Sequence, residues 1–175
     1  PRPSGSCPAH RGRRGVQGMT QKDEDFTEEM YVGSTHDYML FLTNQGRVYR
    51  LKGYQVPEGS RTAKGSHIVN LLQLQEGESV TLMLQQKADV DEDNTYATMI
   101  TKQGLIKRTP LSQFRNIRKA GLIAIALNEG DSLVCHLTKG DDEIIVATHD
   151  GAAIHFTEED ARSMGRTGHG VRVIK

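Results

Sequence analysis

Tryptophan is missing altogether, and the 175 residues include only two cysteines, five prolines and 5% aromatics. Each shortage closes off a class of protein. Cys7 and Cys135 lie far apart, with no Cys-x-x-Cys pair and no Cys/His set at zinc-ligand spacing, so the sequence offers no disulfide framework and no zinc site. They read as free thiols in a reducing compartment. No apolar run approaches the roughly twenty residues that span a bilayer, and no hydrophobic stretch follows the basic N-terminus as in a secretory leader. A cytoplasmic location follows as the expectation. Paired aromatics for stacking exposed bases are lacking, and so are zinc fingers. Enzyme signatures are lacking too: there is no Gly-x-Ser-x-Gly, no His-Glu-x-x-His and no phosphate-binding loop. The carboxylates fall in turns, and His36-Asp37 and His149-Asp150 sit beside hairpins, where turn capping is the simplest role. No metal ligand set and no catalytic residue is expected.

Charge of one sign is also absent in sum, since 22 Lys and Arg balance 22 Asp and Glu. Any affinity for an anionic partner must therefore come from where the charges sit. Residues 1–19 contain no acid, three of the five prolines and the run RGRRGVQGM, whereas KDEDFTEE begins at Lys22. This predicts an irregular arm over 1–29.

From residue 30 the pattern becomes short apolar runs bounded by turn residues. DYMLFLTNQGRVYRL predicts a hairpin turning at Asn44-Gln45-Gly46. TYATMITKQGLIKRT repeats it at Lys102-Gln103-Gly104, and EIIVATHDGAAIHFT at His149-Asp150-Gly151. After each of the first two hairpins come a basic loop, an apolar strand, a Glu-Gly-acid turn and another strand. The third unit reaches its loop and strand in RSMGRTGHGVRVIK. A period of about fifty residues with four short strands per unit is the signature of propeller-like blades. The expectation is an all-β partial pinwheel over 30–175, with blade 1 at about 30–90, blade 2 at about 91–140 and the start of blade 3 at about 141–175. ADVDEDNT is an acidic insert between blades, and ALNEG and EEDARSM can hold helical turns.

Aligning the units sorts the charges. Arg47, Arg50, Lys52, Arg61 and Lys64 follow the first hairpin turn, with Glu58 the single acid among them. Lys102, Lys107, Arg108, Arg115, Arg118 and Lys119 occupy the matching stretch of the second unit, and Arg162 and Arg166 that of the third. Acids gather at 76–78, 89–93, 129–131 and 141–143. Two readings stand: solvated outer strands, or basic loops aligned along one rim to hold the phosphates of duplex DNA by charge, without reading bases. Phosphate contacts along a curved rim would offset a bending cost of order a few kcal/mol.

With these residues in view, YVGSTHDYMLFLTNQGRVYRLKGYQVPEGSRTAKGSHIVNLLQL resembles the first blade of the C-terminal domain of DNA gyrase A. TKQGLIKRTPLSQFRNIRKAGLIAIALNEGD is similar to its second blade, and GAAIHFTEEDARSMGRTGHGVRVIK to the start of its third. The resemblance implies a β-pinwheel, usually of six blades, of which about three are present. It also implies a basic rim that wraps DNA for ATP-dependent negative supercoiling. The opening RGRRG is similar to that family's box motif: Arg11, Gly12, Arg14 and Gly15 match its pattern, while Ala9, His10 and Arg13 depart from it. The resemblance thus makes Arg11, Arg13 and Arg14 DNA contacts. It places the catalytic tyrosine, ATP and magnesium in other domains, and gives gyrase B and a second copy of gyrase A as partners in a bacterial, nucleoid-associated enzyme. The corresponding C-terminal domain of topoisomerase IV and a protein-binding propeller remain as alternatives.

Overall fold

The computed structural model describes residues 29–60, 63, 65–128 and 130–173. The arm at 1–28 with Cys7, Arg11, Arg13 and Arg14, and the predicted contacts Arg61 and Lys64, lie outside the described residues. Two units are distinguished: Pro1–Glu28 with Glu58–Gly65, and Glu29–Pro57 with Ser66–Lys175. In the first, Ala63 N–H donates to Ser60 O at 3.0 Å. The second carries all the strands described below.

Strands β1 (Tyr38–Thr43) and β2 (Arg47–Lys52) form the first predicted hairpin, and β4 (Tyr96–Thr101) and β5 (Leu105–Pro110) the second. β8 (Glu143–Ala147) and β9 (Ala153–Thr157) form the third. At the three turns the N–H of Gly46, Gly104 and Gly151 bonds back to Thr43, Thr101 and Thr148 at 2.9, 2.9 and 3.1 Å. Each turn glycine holds a φ between 71° and 85°. The Gly is what lets a three-residue loop close in this left-handed conformation.

Each of the first two hairpins gains an outer strand from its own repeat: β3 (Val80–Gln86) beside β1, and β7 (Leu133–Thr138) beside β4. The fourth strand comes from the next repeat. β6 (Leu122–Ile123) pairs with β2, and β10 (Val171–Arg172) with β5, giving the orders β3-β1-β2-β6 and β10-β5-β4-β7. Local pattern places an apolar strand after each basic loop but does not say which sheet receives it. Here Ala124 and Ile125 both donate to Gly46 O, at 2.9 and 3.2 Å, closing the first sheet. Val173 N–H donates to Gly104 O at 2.9 Å in the second. In the first repeat the matching stretch is no strand: Ile68–Asn70 is a 3₁₀ turn. Of the two predicted helical stretches, EEDARSM contains a 3₁₀ turn at Glu158–Asp160, and ALNEG has no helical residue among those described.

The pleat splits the core by parity. Leu40, Leu42 and Val48 face Ala97, Met99, Leu133 and Cys135 of the second sheet, with Leu111, Phe114, Ala124 and Ile125 filling between. Phe41 and Tyr49 point to the opposite side, where Leu72 and the half-buried Ile68, Leu71 and Leu74 cover them. The all-β, propeller-like expectation holds as two four-stranded blades and a further hairpin, and no helix among the described residues is long and apolar enough to cross a membrane.

Candidate nucleic-acid interface

The basic residues divide sharply by surroundings. A side chain on the pleat has its face set by parity, whereas a loop side chain can turn outward. Arg50 of β2 lies 4.3 Å over the Tyr38 ring and 3.7 Å from Glu92, and its guanidinium also donates to Arg115 O. Arg108 of β5 repeats the arrangement, 4.6 Å over Tyr96 and 3.7 Å from Glu158. Both arginine side chains are mostly covered, at 15% and 11% exposure. They tie hairpin, outer strand and connecting loop together. Glu158, fully buried, also accepts from Thr98, Thr138 and Gly140 N–H.

Arg47 is engaged as well, donating to Ala120 O and approaching Glu78 at 3.8 Å. Glu78 accepts from Thr43 and Tyr49 at 2.7 Å and from Gln75 N–H at 2.8 Å. Burial alone would raise the Glu78 carboxyl, but these donors and Arg47 outweigh it and hold it below its ordinary range. Lys52 stacks 3.8 Å from the Tyr38 centroid and donates to His36 O. Lys107 is fully buried, donating to Ala124 O and Arg166 O. It is therefore not on an outer surface, and its place among the predicted surface contacts is corrected: its strand position turns it inward. The expected capping by Asp37 is present, with Ser34 N–H and Ala88 N–H bound to its carboxylate at 3.0 and 3.1 Å.

The loop residues behave otherwise. Lys102, Arg115, Arg118, Lys119 and Arg162 are exposed, and Arg166 is half-buried. Arg115–Lys119 precedes β6 and rests on the first blade; Arg162–Arg166 precedes β10 and rests on the second. Each loop is fixed through main chain, the first by Arg47 and Arg50 at Ala120 O and Arg115 O. The second is fixed by Met164 N–H to Arg108 O at 2.8 Å and by Lys107 at Arg166 O. Each ends in a glycine of positive φ, Gly121 at 71° and Gly170 at 93°, so that the following strand can drop onto the sheet. Arg118 and Lys119 line an open groove of about 700 Å³ together with Asn70, Leu72, Gln73 and Gln75. No group of three or more His, Cys, Asp or Glu among the described residues is placed to hold a metal ion.

This repeated device of hairpin, donated strand and loop is matched along most of the chain by one family, described as "DNA gyrase C-terminal domain, beta-propeller", over residues 37–86, 96–134 and 142–175. The chain belongs to that family. Relatives in it include the DNA gyrase A protein of Clostridium acetobutylicum, 50% identical over 93% of this chain and 19% of its own length. Another is the DNA gyrase A protein of Haloquadratum walsbyi, 47% identical over 95% of this chain and 20% of its own. The chain thus spans about a fifth of the curated relatives it matches. Among solved structures, a DNA gyrase A C-terminal domain superposes with a TM-score of 0.65 at 28% identity, over 82% of this chain and 45% of that one. The C-terminal domain of DNA topoisomerase IV gives 0.69 at 28% identity, over 79% and 43%.

Two features of this gyrase-type blade escape a search for basic residues. One is the pair of carboxylates, the half-buried Glu92 and the buried Glu158, that pair with Arg50 and Arg108. Their signal was the recurrence of Tyr38/Arg50 and Tyr96/Arg108 at equivalent hairpin positions. The other is the set of neutral amides, Asn70, Gln73 and Gln75, that lines the same groove as Arg118 and carries no charge signal.

Proposed function

We propose that this chain is a DNA-binding and DNA-wrapping domain of the gyrase A component of a bacterial DNA gyrase, a type IIA topoisomerase. The observation that carries the reading is the same basic loop laid on two successive blades, with Arg115, Arg118, Lys119 and Arg162 exposed and Arg166 half-buried. Arg115, Arg118 and Lys119 on one blade and Arg162 and Arg166 on the next are the contacts assigned to phosphate, with Lys102 and Lys52 beside them. Arg11, Arg13 and Arg14 would begin the wrap, and Arg61 and Lys64 would extend it. Arg47, Arg50 and Arg108 contribute field more than contact, because carboxylates and carbonyls already hold them. Blade boundaries near 30–90, 91–140 and 141–175 are part of this reading, each blade completed by a strand from its successor.

Strand cleavage, and ATP hydrolysis with magnesium, belong on this reading to other parts of a complex with gyrase B and a second copy of gyrase A in the bacterial cytoplasm. The test is a titration of random-sequence duplex with the chain at several salt concentrations. Affinity should fall steeply with salt, by about one unit of log–log slope per phosphate contact, and vary little with sequence. Ligating nicked circles in its presence should also shift their linking number, as wrapping requires. A slope near zero overturns DNA binding. Strong binding without a linking-number shift favours a topoisomerase IV-type domain, the reading that the superposition on such a domain supports.

A further inference from the structure

Lysine is seldom fully buried, because an ammonium loses its hydration and needs compensating partners. Lys107 is 0% exposed, and the partners it has are main-chain carbonyls: Ala124 O at 2.6 Å and Arg166 O. These acceptors come from different repeats. Ala124 follows β6, the strand that completes the first blade, and Arg166 lies in the basic loop of the third repeat. Lys107 itself is in β5 of the second blade, so one ammonium joins that strand to the end of the strand that completes the first blade and to the third repeat's loop.

We propose that Lys107 is a positioning residue for the third repeat's basic loop, fixing the main chain of Arg162–Arg166 and so setting where those guanidinium groups meet a duplex. This rests on the DNA-binding reading above. The loop is templated on the second blade at several points. Met164 N–H donates to Arg108 O at 2.8 Å, Arg166 N–H donates to Gln113 Oε1 at 3.2 Å, and Lys107 takes the Arg166 carbonyl. Arg166 is therefore held on both sides of its own α-carbon. Beyond it, Gly170 packs so closely that a Cβ there would lie 2.6 Å from Ile106 O.

Comparison of the two blades explains why a lysine serves here. In the register Phe41↔Tyr49 matches Met99↔Lys107, so Tyr49 is the first-blade counterpart. Tyr49 serves Glu78 and Gln73 O instead, because Arg47 and Arg50 already grip the first basic loop. In the second blade the position of Arg47 is taken by Leu105, whose side chain has nothing to donate. The anchoring passes to Lys107. Burial, and secondarily the charge of Arg166, lower its pKa to about 8, so the ammonium is held at a cost that packing alone does not require.

The experiment uses the whole chain with Lys107→Met, the milder Lys107→Gln that keeps a donor, the pair Arg162→Ala/Arg166→Ala, and the combination. Two quantities are read: the salt dependence of random-duplex binding, and amide hydrogen exchange across 163–168. Lys107→Met should lower the log–log salt slope by about one to two units, as the double arginine variant does. Combining them should lower it no further, and exchange at 163–168 should quicken while β4 and β5 stay protected. Lys107→Gln should fall between, and replaces Met if the latter fails to fold. A wild-type slope together with wild-type exchange at 163–168 overturns the proposal, even with a lower melting point, as does full additivity with the arginine pair. If the unaltered chain binds no duplex, the DNA reading fails, and exchange at 163–168 alone decides whether Lys107 anchors the loop.

Discussion

Arg115 donates from Nε to Glu92 Oε2 at 2.6 Å, tying the first basic loop to the acidic segment between the blades. Arg50 shares the same carboxylate at 3.7 Å, and Asp93 lies 3.7 Å from Arg115 Nη2. A phosphate approaching Arg115 must compete with these acids. Glu92→Gln should therefore raise duplex affinity about two- to fivefold at low salt, an advantage that shrinks as salt rises. The same change should lower stability by about 1–3 kcal/mol, since two arginines lose a partner. Paired binding and urea-unfolding curves read both effects, and reduced affinity with intact folding would refute the competition.

Stability should fall in acid. The carboxyls of Glu78 and Glu92 are pushed up by burial but pulled further down by their donors and arginines, ending below their ordinary 4.5. A lowered folded value means that the stabilisation is complete above about pH 4.5 and is lost as pH falls through the folded pKa. Urea midpoints measured downward from pH 6 should drop accordingly, and Glu78→Gln should flatten part of the fall.

Lys107 acts in the opposite window. Its folded value of about 8 lies below the ordinary 10.5, so between these limits the unfolded chain binds a proton that the folded chain lacks. Its contribution to stability therefore rises with pH from about 8. Tyr49, raised above 10.0 by burial and then by Glu78, works against this beyond pH 10, where the folded chain keeps the proton. Comparing the urea midpoints of the unaltered chain and Lys107→Met from pH 7.5 to 9.5 checks the sign. Parallel profiles would mean that Lys107 does not titrate there.

Gly121 and Gly77 share a φ of 71° but differ in surroundings. A Cβ at Gly121 would lie 2.7 Å from the Tyr49 ring, while at Gly77 it would meet nothing within 4 Å. Gly77→Ala should cost about 1 kcal/mol, the strain of a left-handed non-glycine residue. Gly121→Ala adds a steric conflict and should cost about 2–4 kcal/mol in all, loosening β6 from β2. Equal melting points for the two variants would remove the packing role of Gly121.

Burial pushes the Cys135 thiol up to about 12. Thiolate is the reactive form, so in a Cys7→Ser background Cys135 should react with disulfide reagents only at the rate of opening. Labelling should quicken sharply in denaturant. Rapid labelling of the native chain would contradict the buried position.

Much of this molecule was legible from residue order. The turn glycines Gly46, Gly104 and Gly151 demand left-handed backbone, the flanking runs alternate with period two, and their recurrence fixes an all-β repeat. These are local properties, carried by residues a few positions apart. The ownership of Leu122–Ile123 and Val171–Arg172 was not local: a short apolar strand pairs equally well with any exposed edge, and only the long-range register gives each to the preceding blade. The fate of the basic residues was decided in the same way. Arg50, Lys107 and Arg115 are alike in charge, yet one is paired in a cluster, one is buried against carbonyls and one stands half free. Charge is a property of the residue, but its availability to a phosphate depends on which face of the pleat it occupies and which carboxylate the fold brings beside it.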